Sequence, residues 1–182
     1  LAANYSLALA EYVAPAVAPT FAITPVVITI TPSDDQSKAY GSDDPILAFT
    51  ATGAIAGETP AFTGALARAE GEAVGTYAIT QGTLALANGE GDNTFKAANY
   101  SLALATYDAP AVAPTFAITP AVITITPDAG QFKVADVADP VLTYTFSDAA
   151  NGETPVITGV LGRAAGEDIG TYAFTLGTLA LA

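Results

Sequence analysis

Shifted by 95 residues, the chain lies on itself without a gap. Residues 1–87 match residues 96–182 at 57 of 87 positions, and the first 32 positions differ at only four. Self-similarity at a fixed period constrains a fold more than composition does, because each copy must bury the same side chains in the same way. Two full periods exceed the 182 residues by eight, and the stretch without a second copy is residues 88–95, NGEGDNTF. The end of the chain therefore leads, after one such loop, back to its beginning. This is the pattern expected of one turn of a repeating polymer.

Within each copy the most regular stretch is residues 20–32, TFAITPVVITITP, which returns at 115–127 as TFAITPAVITITP. Phe21, Ile23, Ile28 and Ile30 alternate with Ala22, Thr24, Thr29 and Thr31. A period of two with β-branched residues marks strands with one buried face. Pro25 carries no backbone donor and cannot lie inside a central strand, so one strand ends before it and another begins after it. The two strands then belong to different packing units, and Pro25 and Pro120 are read as inter-domain hinges; a single strand with an edge proline is the alternative.

The rest of the period reads as short strands and turns. Strands are expected at residues 4–10, 46–52, 60–63, 75–81 (with Tyr77 and Ile79 inward) and 83–87. Residues 32–45 are polar and turn-rich, and residues 66–70, LARAE, suit one helical turn closed by Gly71. Residues 83–87 and the second NYSLALA, at 99–105, flank the Gly/Asn/Asp cluster at 88–93 and read as a hairpin. The expected fold class is mostly β: tandem β-rich domains, β-grasp-like or immunoglobulin-like, with antiparallel sheets and very little helix.

Composition excludes several functions. The net charge is −13 with five basic residues, which argues against a nucleic-acid partner and against anionic membranes. No apolar run approaches the roughly 18 residues of a membrane-spanning helix. There is no Cys, so neither disulfides nor thiol chemistry, and no His, Met or Trp. No charged-then-apolar leader opens the chain, so any secretion signal lies outside it. An acidic, Thr-rich, Ala-rich, Lys-poor and Cys-free chain fits an extracellular, cell-surface address.

Taken together, KAYGSDDP at residues 38–45, GALARAEGEAVGTYAITQGTL at 64–84, NYSLALA and a closing FAITP resemble the bacterial mostly-beta-grasp repeat domain of the Tyr-Gly type. That resemblance implies tandem modules of surface or adhesin-like proteins, with no catalytic residues to carry over. It also implies a frame in which a domain opens at the ITITP strand and closes at FAITP. Residues 26–120 are then one complete domain, 1–25 the closing strands of a preceding one, and 121–182 the opening part of the next. The second copy departs from the motif: KVADVADP at 133–140 lacks the Tyr-Gly pair, so the turn at Gly41 is expected to be built differently around Asp136.

On this frame Tyr5, Leu7, Leu9, Phe21 and Ile23 are assembly-strand residues. Segment 1–25 of one copy would complete 121–182 of its neighbour, head to tail, or the same contacts would form within one long covalent array. The competing frame has two whole units, 1–87 and 96–182, joined by 88–95. The expected function is a structural repeat of an extracellular filament or stalk whose partner is itself. The alternative is an adhesin module that binds a glycan or a host protein, kept open by loops that diverge between 33–43 and 128–138.

No residues are assigned to catalysis, to a cofactor or to a metal. Asn88, Glu90 and Asp92 lie at alternate positions near glycines, as at the start of a calcium loop, but Asn99 stands where the bidentate glutamate belongs. Asp34, Asp35, Asp43 and Asp44 are read as surface charge, with Asp44 and Asp139 capping turns before proline. Lys38 and Lys133 match across the copies and raise the question of an isopeptide crosslink. Arg68 with Glu72, and Arg163 with Glu167, have the spacing of a local ion pair. Tyr77 and Tyr172 are core-facing, with sugar stacking as the lesser reading.

Overall fold

The computed structural model describes residues 6–14, 16–91, 95–109 and 111–182. A first unit is built from β1 (Val26–Pro32), β2 (Gln36–Ala39), β3 (Phe49–Thr52), β4 (Ala61–Thr63), β5 (Ala67–Arg68), β6 (Gly75–Thr80), β7 (Ala85–Ala87), β8 (Tyr100–Leu104) and β9 (Thr115–Thr119). A second contains β10 (Ile125–Pro127), β11 (Tyr144–Phe146), β12 (Ile157–Thr158), β13 (Gly162–Arg163), β14 (Phe174–Thr175) and β15 (Ala180–Leu181). Helix among the described residues is limited to two single 3-10 turns, Ala97–Asn99 and Ala150–Gly152. The chain is mostly β, as its alternation of β-branched residues predicts.

Alternation sets which faces pack. In β1, Ile28, Ile30 and Pro32 are buried while Thr29 and Thr31 are half-buried, and in β9 Phe116 and Ile118 are buried between exposed threonines. Ile28, Ile30, Phe116 and Ile118 join Leu47, Leu66, Leu84, Phe95 and Tyr100 in one core, with the Phe95 and Tyr100 rings stacked at 4.6 Å. Three sheets surround it, in the orders β3-β1-β8, β2-β9-β6-β5 and β4-β7.

Pairing is mostly antiparallel, as expected, and each of the two larger sheets also contains one parallel pair. β8 runs parallel to β1, with Val26 opposite Tyr100, and β9 runs parallel to β2, with Lys38 opposite Ile118. Strands this far apart in sequence are not held by a hairpin turn, so nothing forces them antiparallel. The predicted hairpin between 83–87 and NYSLALA is absent for the same reason: β7 pairs with β4, and β8 goes to β1.

Three local expectations also change. Residues 67–68 are strand β5, paired with β6, rather than a helical turn, because Leu66 must reach the core from a sheet edge. The polar stretch 32–45 contains β2, whose strand form depends on its distant partner β9. Asp136 takes the same left-handed conformation as Gly41, with φ 64° against 80°. Aspartate tolerates that region better than most residues with a side chain, so the turn is preserved without glycine.

Identical sequences meet different fates in the two copies. TFAIT at 115–119 is the strand β9, whereas TFAIT at 20–24 forms no strand and is exposed. Residues 6–10, expected as a strand, likewise form none. Around Pro120, β9 and β10 lie in different sheets. In the second unit the strands pair only in twos, β10-β11, β12-β15 and β13-β14, and residues 131–134, the counterpart of β2, form no strand.

This contrast is directly measurable. Phe116 is 0% exposed and its sequence twin Phe21 is 92% exposed. Phe116→Ala is expected to destabilise the first unit by about 3–5 kcal/mol in urea denaturation of the dilute chain. Phe21→Ala should change the same transition by less than about 0.5 kcal/mol.

Candidate assembly site

Each unit carries one compact cluster of four charges. In the first, Lys38 comes from β2, Asp44 from the following loop, Arg68 from β5 and Glu72 from the turn after it. The Asp44 carboxylate accepts from Arg68 Nε at 2.7 Å and Nη2 at 3.0 Å, a two-pronged contact, and faces Lys38 Nζ at 2.7 Å. Glu72 accepts from both cations through its two oxygens. The arrangement repeats in the second unit: Arg163 Nε and Nη2 each lie 2.9 Å from an Asp139 oxygen, Lys133 lies 2.9 Å from Asp139, and Glu167 closes the ring.

The expected pairing of Arg68 with Glu72 exists, but on a strand and its turn rather than on a helix. Asp44 and Asp139 are cation-bound rather than turn caps, because the planar guanidinium matches a carboxylate two bonds at a time. The sequence signal was available: Lys, Asp, Arg and Glu survive in both copies through a region where most other residues change. Gln36 and Gln131 also match across the copies, a signal that the sequence reading did not use. Each uses its side-chain amide as a backbone mimic, Gln36 on Ala48 and Gln131 on Thr143.

The cluster fixes protonation states. Hydrogen bonds from Arg68 and then Lys38 hold the Asp44 carboxyl below its ordinary range, and Lys38 and Arg68 do the same to Glu72. Arg163 and Lys133 pull Asp139 down to about 2. Lys38 and Lys133 are raised by the same carboxylates. Carboxylates and amines so saturated are poor acids, bases or nucleophiles; their chemistry here is to tie three segments together.

The two clusters differ in what covers them. In the first unit the Arg68 guanidinium lies 5.1 Å from the Tyr77 ring and 5.5 Å from the Phe116 ring. In the second, Arg163 lies 5.1 Å from the Tyr172 ring, and both residues line a cavity of about 380 Å³. It is lined by Phe132, Lys133, Asp139, Arg163, Tyr172 and Phe174. The counterparts of its walls in the first unit are the neighbours of β9, with Tyr77 opposite Phe116 and Lys38 opposite Ile118. The cations register the difference: the Lys38 side chain is 5% exposed and that of Lys133 is 18%.

A family model for the MBG domain (YGX type) matches residues 28–108 and 123–182, well over half the chain. The chain belongs to the MBG domain family. No curated protein and no solved structure matches it. MBG domains are surface-protein repeat modules, a structural family rather than one of enzymes, and this chain is a tandem of them. No helix among the described residues is long and apolar enough to cross a membrane.

The structure places the expected assembly residues away from the cavity. Leu7, Leu9, Phe21 and Ile23 all lie exposed along a segment without strand structure, and Tyr5 lies outside the described residues. Their counterparts in the first MBG unit, Leu102, Leu104, Phe116 and Ile118, are half-buried or buried in β8 and β9. Pro25 and Pro120 are exposed, each at the edge of a strand.

The remaining candidates are also placed. The ring faces of Tyr77 and Tyr172 are occupied by arginine, and their hydroxyls donate to Ala73 and Asp168 carbonyls. Asn88 accepts from the Ala97 amide, Glu90 is exposed, and Asp92 lies outside the described residues. Asp34, Asp35 and Asp43 are exposed. Among the described residues no group of three or more acidic or metal-ligating side chains is gathered as a cation would need.

The clusters make stability depend on pH at both extremes. Carboxylates whose folded values are depressed contribute fully above their ordinary value of 3.8–4.5 and lose that contribution as pH falls below it, through about 2 for Asp139. Lysines whose values are raised contribute below 10.5 and lose it as pH climbs past that value. Arg68→Gln should therefore lower the denaturation midpoint most near neutral pH, with the gap from the unmodified chain closing as pH falls below the ordinary carboxylate range. A gap independent of pH would mean that packing, not charge, carries the effect.

Proposed function

We propose that the chain is the structural repeat of an extracellular surface filament or stalk, assembled head to tail by strand complementation. In this reading residues 26–120 are one complete domain, and segment 1–25 of a second copy enters the cavity beside Arg163. Phe21 would lie under Arg163 as Phe116 lies under Arg68, and Ile23 would sit beside Lys133 as Ile118 sits beside Lys38. The observation that carries the reading is the match between groove and segment. The cavity wall repeats the neighbours of β9, and the exposed TFAIT at 20–24 is identical in sequence to β9 itself.

Magnitudes favour occupancy. Five large apolar side chains would leave water, each worth roughly 1.5–3 kcal/mol. Their sum, about 10 kcal/mol, is comparable to the whole stability of a typical domain. Paired sheet edges would be gained as well. A contact between unlike surfaces that does not close on itself propagates as a fibre. A proline at each strand boundary would hold successive units in line.

Electron microscopy of the chain at rising concentration should show fibres with an axial repeat of two domains. Dissociated fibres should run at 18.2 kDa. Phe21→Asp should abolish fibres while leaving the urea transition of the first unit in place. Species that stay very large after dissociation would assign the same contacts to one covalent array. Monodisperse monomers at every concentration, or fibres indifferent to Phe21→Asp, would sink the proposal. The divergence between residues 33–43 and 128–138 supports a second reading, an adhesin module; specific retention on a glycan array by monomeric chain would favour it.

A further inference from the structure

The Tyr40-Gly41 turn of the first unit does not end in solvent. The Tyr40 ring packs against the first core, and its hydroxyl donates to Glu153 Oε1 of the second unit at 2.5 Å. The hydrogen bond to that carboxylate raises the Tyr40 hydroxyl above its ordinary value, against a smaller opposing effect from Asn151. Gly41 meets the 3-10 turn Ala150–Gly152: a Cβ added at Gly41 would overlap the Ala150 side chain, and the Asn151 amide lies 3.6 Å from the same point. Two separate features thus meet on one surface, a hydroxyl that reaches across and a backbone that comes close only because it lacks a side chain.

We propose that the Tyr-Gly turn is the docking surface between consecutive units and that its partner is the turn at residues 150–153 of the following one. Sequence comparison between the two copies adds a consequence. Tyr40 and Gly41 correspond to Ala135 and Asp136. The second unit keeps the left-handed turn, with Asp136 at φ 64°, but has no hydroxyl there and carries a carboxylate where close approach is needed. The counterpart of Glu153 is Glu58, which already accepts from Tyr100 on β8 of its own unit. Joints made by the first unit are therefore docked and joints made by the second are not, so stiff and loose joints alternate along an array.

The joint can be read in a single chain, independently of any assembly. The chain has no cysteine, so Glu70→Cys and Ala165→Cys place one spin label at equivalent exposed positions of each unit. Pulsed electron resonance on the labelled chain should give one narrow inter-label distance. Gly41→Asp installs the residue that the second unit itself tolerates in this turn, so the urea transition should stay in place while the distance peak broadens into a wide distribution. Tyr40→Phe, which removes only the hydroxyl, should broaden it partly. A broad distribution in the parent, or a narrow one that survives Gly41→Asp, would overturn the proposal and leave the strand-exchange reading where it stood.

Discussion

The first unit depends on a strand that arrives last. β9 enters between β2 and β6, pairing parallel with one and antiparallel with the other, and drives Phe116 and Ile118 into the centre of the core. β8 completes the other large sheet at its edge by pairing along β1. Until both arrive, the earlier strands have edges without partners and a core without its largest wedge. Contacts spanning most of the unit must form before the fold is rewarded, so it is topologically committed to its closing strands. In the second unit the strands among the described residues pair only in twos.

Charge is arranged around this constraint. Four of the five basic residues, Lys38, Arg68, Lys133 and Arg163, sit in the two clusters, leaving Lys96 elsewhere in a chain of net charge −13. In the first unit the Lys38 and Arg68 side chains are mostly covered while Asp44 and Glu72 stay open to water, so solvent partly screens the pairs. Elsewhere the surface is acidic, and like charge keeps separate chains apart at distances within the ionic screening length.

Particular residues mark how much could be read ahead of the coordinates. The alternation in VVITITP and TFAIT pointed to the core faces of β1 and β9 because side-chain direction follows chain period alone. Pro120 marked the place where one sheet ends and another begins because a missing amide hydrogen is a local fact. The four-charge cluster left a trace in the residues kept across the copies. The strand character of residues 36–39 and 67–68 left none. Both segments are polar or short, and they become strands only because β9 and β6 lie beside them. The meeting of Gly41 with Ala150 was equally silent, since a glycine reports a need for space without naming what fills it.

Two sequences that are the same at every position make the division plain. TFAIT at 20–24 and at 115–119 have the same period, the same propensity and the same flanking prolines, and so the same capacity to be a strand with Phe and Ile on one side. That capacity, together with the repeat and the family, was determined by the sequence alone, because it depends only on residues near one another along the chain. Whether the capacity is used was decided by tertiary structure. At 115–119 two strand edges stand within hydrogen-bonding distance and Phe116 is sealed from water; at 20–24 no strand among the described residues pairs with the segment, and Phe21 stays exposed to water.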